Sequence, residues 1–350
     1  MKRSRYIWID FENAPHVWVL KELIGALKDN GFSVLVTARN FSSTIALCRY
    51  MGIEFREVDC PIHPKARAGK LLSIIWRGLK LRNYIKRSGL GLPLLAVSHG
   101  SRSQALASGL LGTTVFSLDD YEHSFTGFNR FVDRILSPAP IKPKNWGKYQ
   151  SKVINYPGLK ENLYLWNGNN LSDGKSIPFK EGELKVLFRP ESPDAHYASK
   201  KSEVLQEAVM KRLCSERSLH VVLFPRNISQ GDKIKKFFSS QGITCTIPSG
   251  AINGPALISS SDLVIGGGGT MTREAAVLGV PSYTFFAGKL GEVDRYLIHS
   301  KRLVLLESEE DVAAIDFATK KTIDRSVSAE AFEFVLNYLL TFLQDQNVSF

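Results

Sequence analysis

Residues 262–276 read DLVIGGGGTMTREAA: a short apolar run, then four glycines, then the start of a helical pattern. The run 263–265 predicts a buried strand, and the segment from Thr270 onward predicts a helix. The glycines between them allow close approach of a ligand and expose amide N–H groups at the start of that helix. The stretch therefore predicts an open parallel α/β sheet that holds a phosphate or diphosphate at one strand end.

The spacing of this turn matches neither Gly-x-x-x-x-Gly-Lys-Ser/Thr nor a strict Gly-x-Gly-x-x-Gly, so it does not favour a P-loop or a nicotinamide site. Glu274 lies in the first turns of the helix, where a carboxylate can accept hydrogen bonds from ribose hydroxyls. The alternative is that Glu274 caps its own helix. The candidate phosphate and ribose ligands here are Gly266, Gly267, Gly268, Gly269, Thr270 and Glu274.

Strand and helix patterns alternate throughout the second half of the chain. Strands are predicted at 184–189, 220–224 and 280–286, and helices at 200–215, 232–241 and 329–343. Arg189 and Arg226 follow the first two strands, where each can point a guanidinium at a phosphate or, alternatively, form a surface salt bridge. The alternation predicts a doubly wound α/β domain.

The first half shows the same alternation of strand and helix patterns, without any repeat of the sequence itself. Strands are predicted at 6–10, 32–37, 92–98 and 113–118, and helices at 17–30, 42–51 and 104–111. Between about 138 and 180 proline, glycine and asparagine mark turns and a domain boundary. We therefore predict two Rossmann-like domains facing a cleft, 1–165 and 166–350, with the last helix able to pack back on the first.

Polar side chains follow three strands of the first half, where an open sheet places its ligands. They are Asp10, Glu12, Asn13, His16, His99, Asp119, Glu122 and His123. A histidine titrates near neutrality, so His16 could help to deprotonate a hydroxyl; the alternative is a capping or structural role. No ligand spacing typical of a metal site and no Gly-x-Ser-x-Gly turn occurs, so we expect neither a metal nor a serine nucleophile.

Basic residues are concentrated in the first half of a chain whose net charge is +11. Residues 1–160 hold 24 Lys and Arg against 11 Asp and Glu, and the remainder holds 21 against 23. Residues 63–87 contain eight basic residues and no acid, with apolar residues at helical spacing. This pattern predicts an amphipathic basic helix, for which an anionic membrane surface, nucleic acid, or plain solvent are the possible neighbours.

The bulk composition excludes several classes of protein. With 44% apolar and 23% charged residues, the chain is typical of a globular protein and not of a disordered one. No apolar stretch approaches the roughly 18 residues of a membrane span, and no signal-peptide core follows the first residues. We expect a cytoplasmic protein, with the possibility of attachment to the inner face of the membrane.

Several segments resemble the bacterial and archaeal family called domain of unknown function 354: WIDFENAPHV, SHGS, DDYEH, YPGLKENLYL and the stretch 266–298. That family is similar to GT-B glycosyltransferases, notably the peptidoglycan N-acetylglucosaminyltransferase, and to UDP-N-acetylglucosamine 2-epimerases. The resemblance implies a GT-B-like fold. It also places His16 near an acceptor and a donor diphosphate, Glu122 at an acidic turn, and Glu274 on the ribose.

The resemblance and the strand-end residues together predict a metal-independent glycosyltransferase that uses a nucleotide sugar, expected to be UDP-linked, and no cofactor. Its acceptor would be a glycolipid or a surface polysaccharide, and residues 63–87 would contact the membrane. We expect Asp10, His16 and Glu122 to be catalytic, and Glu12, Asn13, His99, Asp119 and His123 to serve the acceptor. A nucleotide-sugar 2-epimerase is the alternative, and a nucleic-acid-binding protein is a more remote one.

Overall fold

The fold is that of a computed structural model, which describes residues 6–60, 67–172, 179, 182–191, 200–216, 218–318 and 327–346. The predicted residues 63–66 of the basic segment lie outside these ranges. The chain forms two compact units, one made of Met1–Tyr164 with Ser328–Phe350 and the other of Leu165–Val327. None of the described helices is both long and apolar enough to span a bilayer.

The first unit is a seven-stranded parallel sheet with helices between its strands. Its elements are β1 (Tyr6–Phe11), α1 (Ala14–Asp29), β2 (Ser33–Ala38), α2 (Thr44–Tyr50), β3 (Arg56–Glu57), α3 (Arg67–Arg87), β4 (Leu95–His99), α4 (Arg102–Leu111), β5 (Val115–Leu118), β6 (Arg134–Pro138), β7 (Val153–Tyr156) and α5 (Asn162–Leu165). The strand order is β3-β2-β1-β4-β5-β6-β7. Because β1 lies inside this sheet, all six of its residues are buried.

The second unit is a six-stranded parallel sheet built in the same way. Its elements are β8 (Leu184–Arg189), α6 (Lys200–Leu213), β9 (Leu219–Leu223), α7 (Ile228–Ser240), β10 (Thr244–Thr246), α8 (Gly254–Ser260), β11 (Leu263–Gly266), α9 (Thr270–Val277), β12 (Ser282–Thr284), α10 (Glu292–His299), β13 (Val304–Leu305) and α11 (Glu309–Ala313). The order β10-β9-β8-β11-β12-β13 again places the first strand near the centre.

The last helix, α12 (Glu330–Asp345), packs on the first unit. The ring of Phe342 lies 4.8 Å from that of Phe116 on β5, and Arg134 Nε donates to the Tyr338 hydroxyl at 3.2 Å. The helix also contacts β7 and α1. The chain thus returns to its first unit after completing the second.

The predicted α/β class with two doubly wound units is confirmed. Strands β6 and β7 are additions to the predicted elements, and β7 lies inside the proline-rich stretch where turns are predicted. Helix α1 begins at Ala14, three residues earlier than predicted, because Pro15 is tolerated in the first turn, where its missing N–H costs nothing. His16 is therefore part of the helix and not of the loop before it.

Candidate functional site

The first unit places its strand-end residues around the carboxyl ends of β1 and β4. These neighbouring strands send their connections to opposite sides of the sheet, which is where open parallel sheets bind ligands. His16 in the first turn of α1 and His99 at the end of β4 meet at this point, with ring centroids 4.8 Å apart. The two predicted histidines thus form one cluster.

Asp10, which the sequence predicts as catalytic, is held in a buried network of hydrogen bonds. Arg77 Nη1 and Nη2 each donate to one Asp10 oxygen at 2.8 Å, while the hydroxyls of Thr37 and Ser101 donate at 2.6 Å. Asp10 and Arg77 are both fully buried. The four acceptor positions of this carboxylate are thus all used by other residues of the first unit.

His16 is held as a neutral hydrogen-bond donor. The backbone N–H of Glu12 donates to His16 Nδ1 at 3.3 Å, so the ring proton of the neutral side chain lies on Nε2. Burial lowers the pKa of His16 well below its ordinary value, and the neighbouring His99 and Lys160 lower it further. This arrangement opposes the predicted use of His16 as a base and favours donation from Nε2.

A chain of ionisable groups extends from His99 across the sheet. His99 Nε2 lies 3.2 Å from Asp120 Oδ1, and Lys160 Nζ lies 2.7 Å from Asp120 Oδ2 and 3.4 Å from Glu161 Oε1. Lys160 and Glu161 are almost completely buried. Charges from β4, β5 and the loop after β7 therefore meet in one enclosed place.

Asp119 and Glu122 lie on the same turn after β5. Ser117 Oγ donates to Asp119 Oδ2 at 2.7 Å, and burial nevertheless raises the pKa of Asp119. A Cβ atom on Gly100, whose φ is +63°, would lie 2.9 Å from Asp119 Oδ1, so this approach requires glycine. The buried Glu122 lies 3.3 Å from His123, from Oε1 to Nε2.

The two residues after β1 are less closely tied to this cluster. Glu12 Oε1 lies 3.7 Å from Arg39 Nη1, on the side of β2. Asn13 ends the loop with its carbonyl accepting from the His16 N–H at 3.0 Å, and its side chain makes no capping hydrogen bond. Both residues border α1 and hold His16 in position through their backbone.

Five residues of the cluster are absent from the predicted site: Arg77, Asp120, Tyr156, Lys160 and Glu161. Asp120 adjoins a predicted residue, and the last three belong to the YPGLKENLYL segment that carries the family resemblance. Because β7 is absent from the predicted elements, this segment could not be placed at a strand end. The sequence places Arg77 in the basic helix, and nothing in that pattern distinguishes it from the other basic residues.

The glycine turn of the second unit lies at the corresponding position, where β8 and β11 diverge. Gly266 pairs with Arg189, and the Gly267 N–H donates to the Arg189 carbonyl at 3.0 Å. A Cβ atom on Gly267 would lie 2.8 Å from Glu191 Cα, and one on Gly268 would lie 2.8 Å from the Phe286 ring. Lack of space therefore requires glycine at both positions.

The end of the glycine turn is set by backbone conformation. Gly268 and Gly269 have φ of +87° and +104°, values that favour glycine. Helix α9 begins at Thr270, which remains partly exposed, while the Thr272 hydroxyl donates to the Gly269 carbonyl at 3.0 Å. The turn thus leads directly into the N-terminus of a helix, as predicted from the residues alone.

Arg189 lies beside this turn with its charge unbalanced. Its Nη1 donates to the carbonyl of Phe224 at 3.0 Å, and among the described residues no carboxylate pairs with it. Burial, together with the charge of Arg226, lowers the pKa of Arg189 to about 9. Arg226 is exposed and donates from Nε to the Pro190 carbonyl at 3.3 Å. Two arginines at adjacent strand ends create a positive region next to the glycines.

Glu274 is buried on α9, with only 4% of its surface exposed. It is the fifth residue of the helix, whereas a capping glutamate would stand at the third, a position that Thr272 occupies. The preceding residue, Arg273, forms a buried ion pair with Asp294: Nε donates to Oδ1 and Nη2 donates to Oδ2, each at 2.7 Å. The sequence does not single out this pair, which ties α9 to α10.

Helix α3 differs from its prediction in two respects. Arg77 is buried by its ion pair, and Gly78 lets α3 pack so closely on α4 that a Cβ there would lie 2.9 Å from Leu106. Four apolar residues that could have formed a core stripe are instead exposed: Leu71, Leu72, Ile75 and Leu79, with exposed fractions of 42%, 60%, 37% and 43%. Only Leu81 and Ile85 of the apolar set are fully buried.

Sequence comparison places most of the chain in one family. The model of a family described as "Protein of unknown function (DUF354)" matches residues 5–331. A relative, the uncharacterized protein MJ0665 of Methanocaldococcus jannaschii, is 24% identical over 315 residues, which cover 85% of this chain and 86% of the relative. Neither description assigns a reaction.

Structural comparison identifies the fold. The UDP-GlcNAc 2-epimerase of Neisseria meningitidis, solved bound to UDP-GlcNAc, matches with a TM-score of 0.74 at 13% identity, covering 96% of this chain and all of that one. MurG of Acinetobacter baumannii matches with a TM-score of 0.53 at 15% identity, covering 96% and 99%. At these identities the likeness concerns the fold alone, and the expected GT-B-like class is confirmed.

Proposed function

Because this chain belongs to the DUF354 family, whose description names no reaction, we propose its function from its own residues. It is a nucleotide-sugar glycosyltransferase whose second unit binds the donor and whose first unit binds the acceptor. The donor diphosphate lies on the glycine turn Gly266–Gly269, and the reaction uses no metal and no cofactor. Backbone amides and arginine then stabilise the charge of the leaving nucleotide.

The unbalanced charge of Arg189 is the observation that carries this proposal. Burying a cation is costly unless an opposite charge accompanies it, and a second arginine nearby increases the cost. A bound diphosphate would offset both the cost of burying the Arg189 cation and its repulsion by Arg226, because guanidinium groups pair with phosphate oxygens through parallel hydrogen bonds. Arg189 pairs with Gly266 in the sheet, and its Nη1 donates to the carbonyls of Phe224 and Pro225; we assign its other guanidinium N–H groups to the same anion as the glycine amides.

The remaining donor contacts follow from the geometry of α9. Its N-terminus offers unpaired amides and the positive end of the helix dipole, and the glycine turn gives a phosphate room to approach them. Glu274 lies one turn further along the same helix, and we assign it to the ribose hydroxyls. A UDP-linked donor is supported by the fold shared with the Neisseria enzyme, which was solved with UDP-GlcNAc.

The exposed side of α3 supports an acceptor carried by an anionic lipid surface. Leu71, Leu72, Ile75 and Leu79 share this side, and they are followed by basic Arg82, Lys86 and Arg87. Two attractions bind a helix to a membrane surface: burial of its apolar residues among the headgroups, and the attraction of its cations to anionic lipid. A second copy of the chain fits less well, because α3 contains no acidic residue to pair with the facing cations.

An epimerase is the second candidate, and the cluster in the first unit favours it. Removing and returning a proton at a sugar carbon requires an acid and a base, and His99, Asp120, Glu122 and Lys160 supply groups of both kinds. Incubating the protein with UDP-GlcNAc separates the two reactions. An epimerase forms the 2-epimer without an acceptor, whereas a transferase releases UDP only when an acceptor is added.

Calorimetric titration with UDP and with pyrophosphate tests the donor site. We expect Arg189→Gln to weaken both ligands by about tenfold or more, since a hydrogen bond to a charged group contributes about 1.5–3 kcal/mol. Glu274→Gln should weaken UDP and leave pyrophosphate unchanged, because only UDP carries a ribose. Arg295→Gln, on the exposed side of α10, is the matched control. Equal binding of both ligands by the wild type and Arg189→Gln would refute the proposed donor site.

A further inference from the structure

Two buried side chains, Tyr156 at the end of β7 and Glu161 in the loop after it, make no hydrogen bond to another described residue. Tyr156 OH and Glu161 Oε2 have no hydrogen-bond partner among the described residues, whereas Glu161 Oε1 and His99 Nε2 make no hydrogen bond but lie 3.4 Å from Lys160 Nζ and 3.2 Å from Asp120 Oδ1. Tyr156 and Glu161 are at most 1% exposed. Buried polar atoms are normally paired, so a group of unpaired atoms in one place indicates a polar ligand.

These atoms are close together and belong to one charged chain. Lys160 Nζ lies 2.7 Å from Asp120 Oδ2 and 3.4 Å from Glu161 Oε1, and Asp120 Oδ1 lies 3.2 Å from His99 Nε2. Burial raises the pKa of Tyr156 well above its ordinary value, and the nearby charges of Asp120 and Glu161 raise it further. The phenol therefore stays protonated and keeps a hydrogen to donate.

The loop is shaped to direct Lys160 and Glu161 inward. Gly158 has a φ of +73°, and a Cβ atom there would lie 3.0 Å from Asn162 Oδ1. That same Asn162 oxygen accepts from the Leu159 N–H at 2.9 Å, which closes the turn before α5. The two charged residues of the loop are thus held in the interior by a turn that depends on glycine and asparagine.

We propose that Tyr156, Glu161 and His99 form a carbohydrate-binding subsite in the first unit, which takes hydroxyl groups of the acceptor sugar. Adjacent sugar hydroxyls each donate and accept a hydrogen bond. Glu161 offers acceptors, Tyr156 offers a donor and an acceptor, and the ring nitrogen of His99 can do either. Ordered water is the alternative occupant of the same atoms.

The subsite rests on the proposed function, because it supplies the acceptor of that reaction. It extends the proposal to residues 156–161, which neither the predicted site nor the family description assigns. Asp120 and Lys160 act as positioning residues: they are paired with each other at 2.7 Å and lie beside His99 and Glu161, at 3.2 and 3.4 Å. The donor site lies in the second unit, so the two proposals can be tested separately.

Thermal unfolding of the full chain without ligand gives the first test. A buried hydroxyl that has no partner destabilises the protein, so Tyr156→Phe should raise the Tm by about 2 °C. The matched control is Tyr6→Phe, since the buried Tyr6 donates from its hydroxyl to the Gly91 carbonyl at 3.1 Å and its loss should lower the Tm. A fall in Tm for Tyr156→Phe would assign the hydroxyl a structural role and overturn the subsite.

Saturation-transfer NMR with glucose and with N-acetylglucosamine gives the second test. We expect the wild type to bind at least one of these sugars, and Tyr156→Phe and Glu161→Gln each to weaken it about fivefold or more, with UDP binding unchanged. Sugar binding that is absent in the wild type, or equal in the variants, would leave ordered water as the occupant and overturn the subsite. If the wild type does not bind UDP, the proposed donor site is refuted instead.

Discussion

Asp10 on β1 and Arg77 on α3 form a fully buried two-bond ion pair, although they are 67 positions apart in the chain. Arg77 Nε also donates to the Val58 carbonyl at 2.9 Å, so the guanidinium joins β1, α3 and the strand edge near β3. This pair fixes α3 against the sheet. It also explains why one basic residue of a basic helix is turned inward while its neighbours are exposed.

Breaking this pair should be costly for stability. We expect Arg77→Leu to lower the free energy of unfolding of the first unit by about 3–5 kcal/mol, because Asp10 would be left as an uncompensated buried charge. Urea unfolding measures the change. Lys86→Ala, on the exposed side of the same helix, should change it by less than about 0.5 kcal/mol. Similar effects for the two variants would contradict the structural role of the pair.

His16 should give the stability a distinctive dependence on pH. Its pKa is lowered in the folded chain, so between about pH 6.5 and that lower value the unfolded chain binds more protons and stability falls as the pH falls. The slope from this one group is about 1.4 kcal/mol per pH unit. His16→Gln should remove that slope. An unchanged profile between about pH 6.5 and 5 would show that His16 is not held neutral.

The glycine turn should tolerate no side chain at Gly267. Its φ is ordinary, but a Cβ would lie 2.8 Å from the Glu191 backbone, so Gly267→Ala must displace the loop. We expect UDP affinity to fall by about tenfold or more, since the amides would move away from the phosphate. Gly254→Ala is the matched control, because its Cβ would meet no atom within 4 Å and its φ is also ordinary. Calorimetry with both variants measures the difference.

Exposed leucines of α3 should govern attachment to lipid. We expect the wild type to co-sediment with vesicles of phosphatidylcholine and phosphatidylglycerol, and Leu72→Asp with Leu79→Asp to reduce binding by about tenfold or more, since each buried leucine contributes roughly 1.5–3 kcal/mol. Phe334→Asp, an exposed aromatic residue on α12, is the control.

Three outcomes would contradict lipid attachment through α3. One is equal binding to pure phosphatidylcholine vesicles, which lack anionic lipid. Another is loss of binding by the α12 control to the same extent as by the α3 variant. The third is that the protein does not bind vesicles but binds an oligonucleotide with an affinity that falls steeply with salt. That result would indicate that α3 binds nucleic acid.

The local elements of the site could be predicted from the sequence. The run LVI followed by GGGG and a helical pattern specifies a strand, a turn and a helix because these patterns depend on neighbouring residues only. Since parallel strands end at one edge of a sheet, the sequence alone predicts that the residues after those strands lie together as a site. His16, His99, Asp119 and Glu122 follow such strands.

The sequence by itself determined the α/β class and the glycine turn, whose space and φ requirements only glycine satisfies. Only the tertiary structure decided which candidates function together, because strand order and helix packing bring distant residues into contact. The tertiary structure paired Asp10 with Arg77 and placed the His16 proton on Nε2. It also brought Lys160 and Glu161 beside Asp120. A residue pattern encodes the position of a side chain along an element. Its protonation and its unpaired hydrogen-bonding groups depend on partners contributed by other elements.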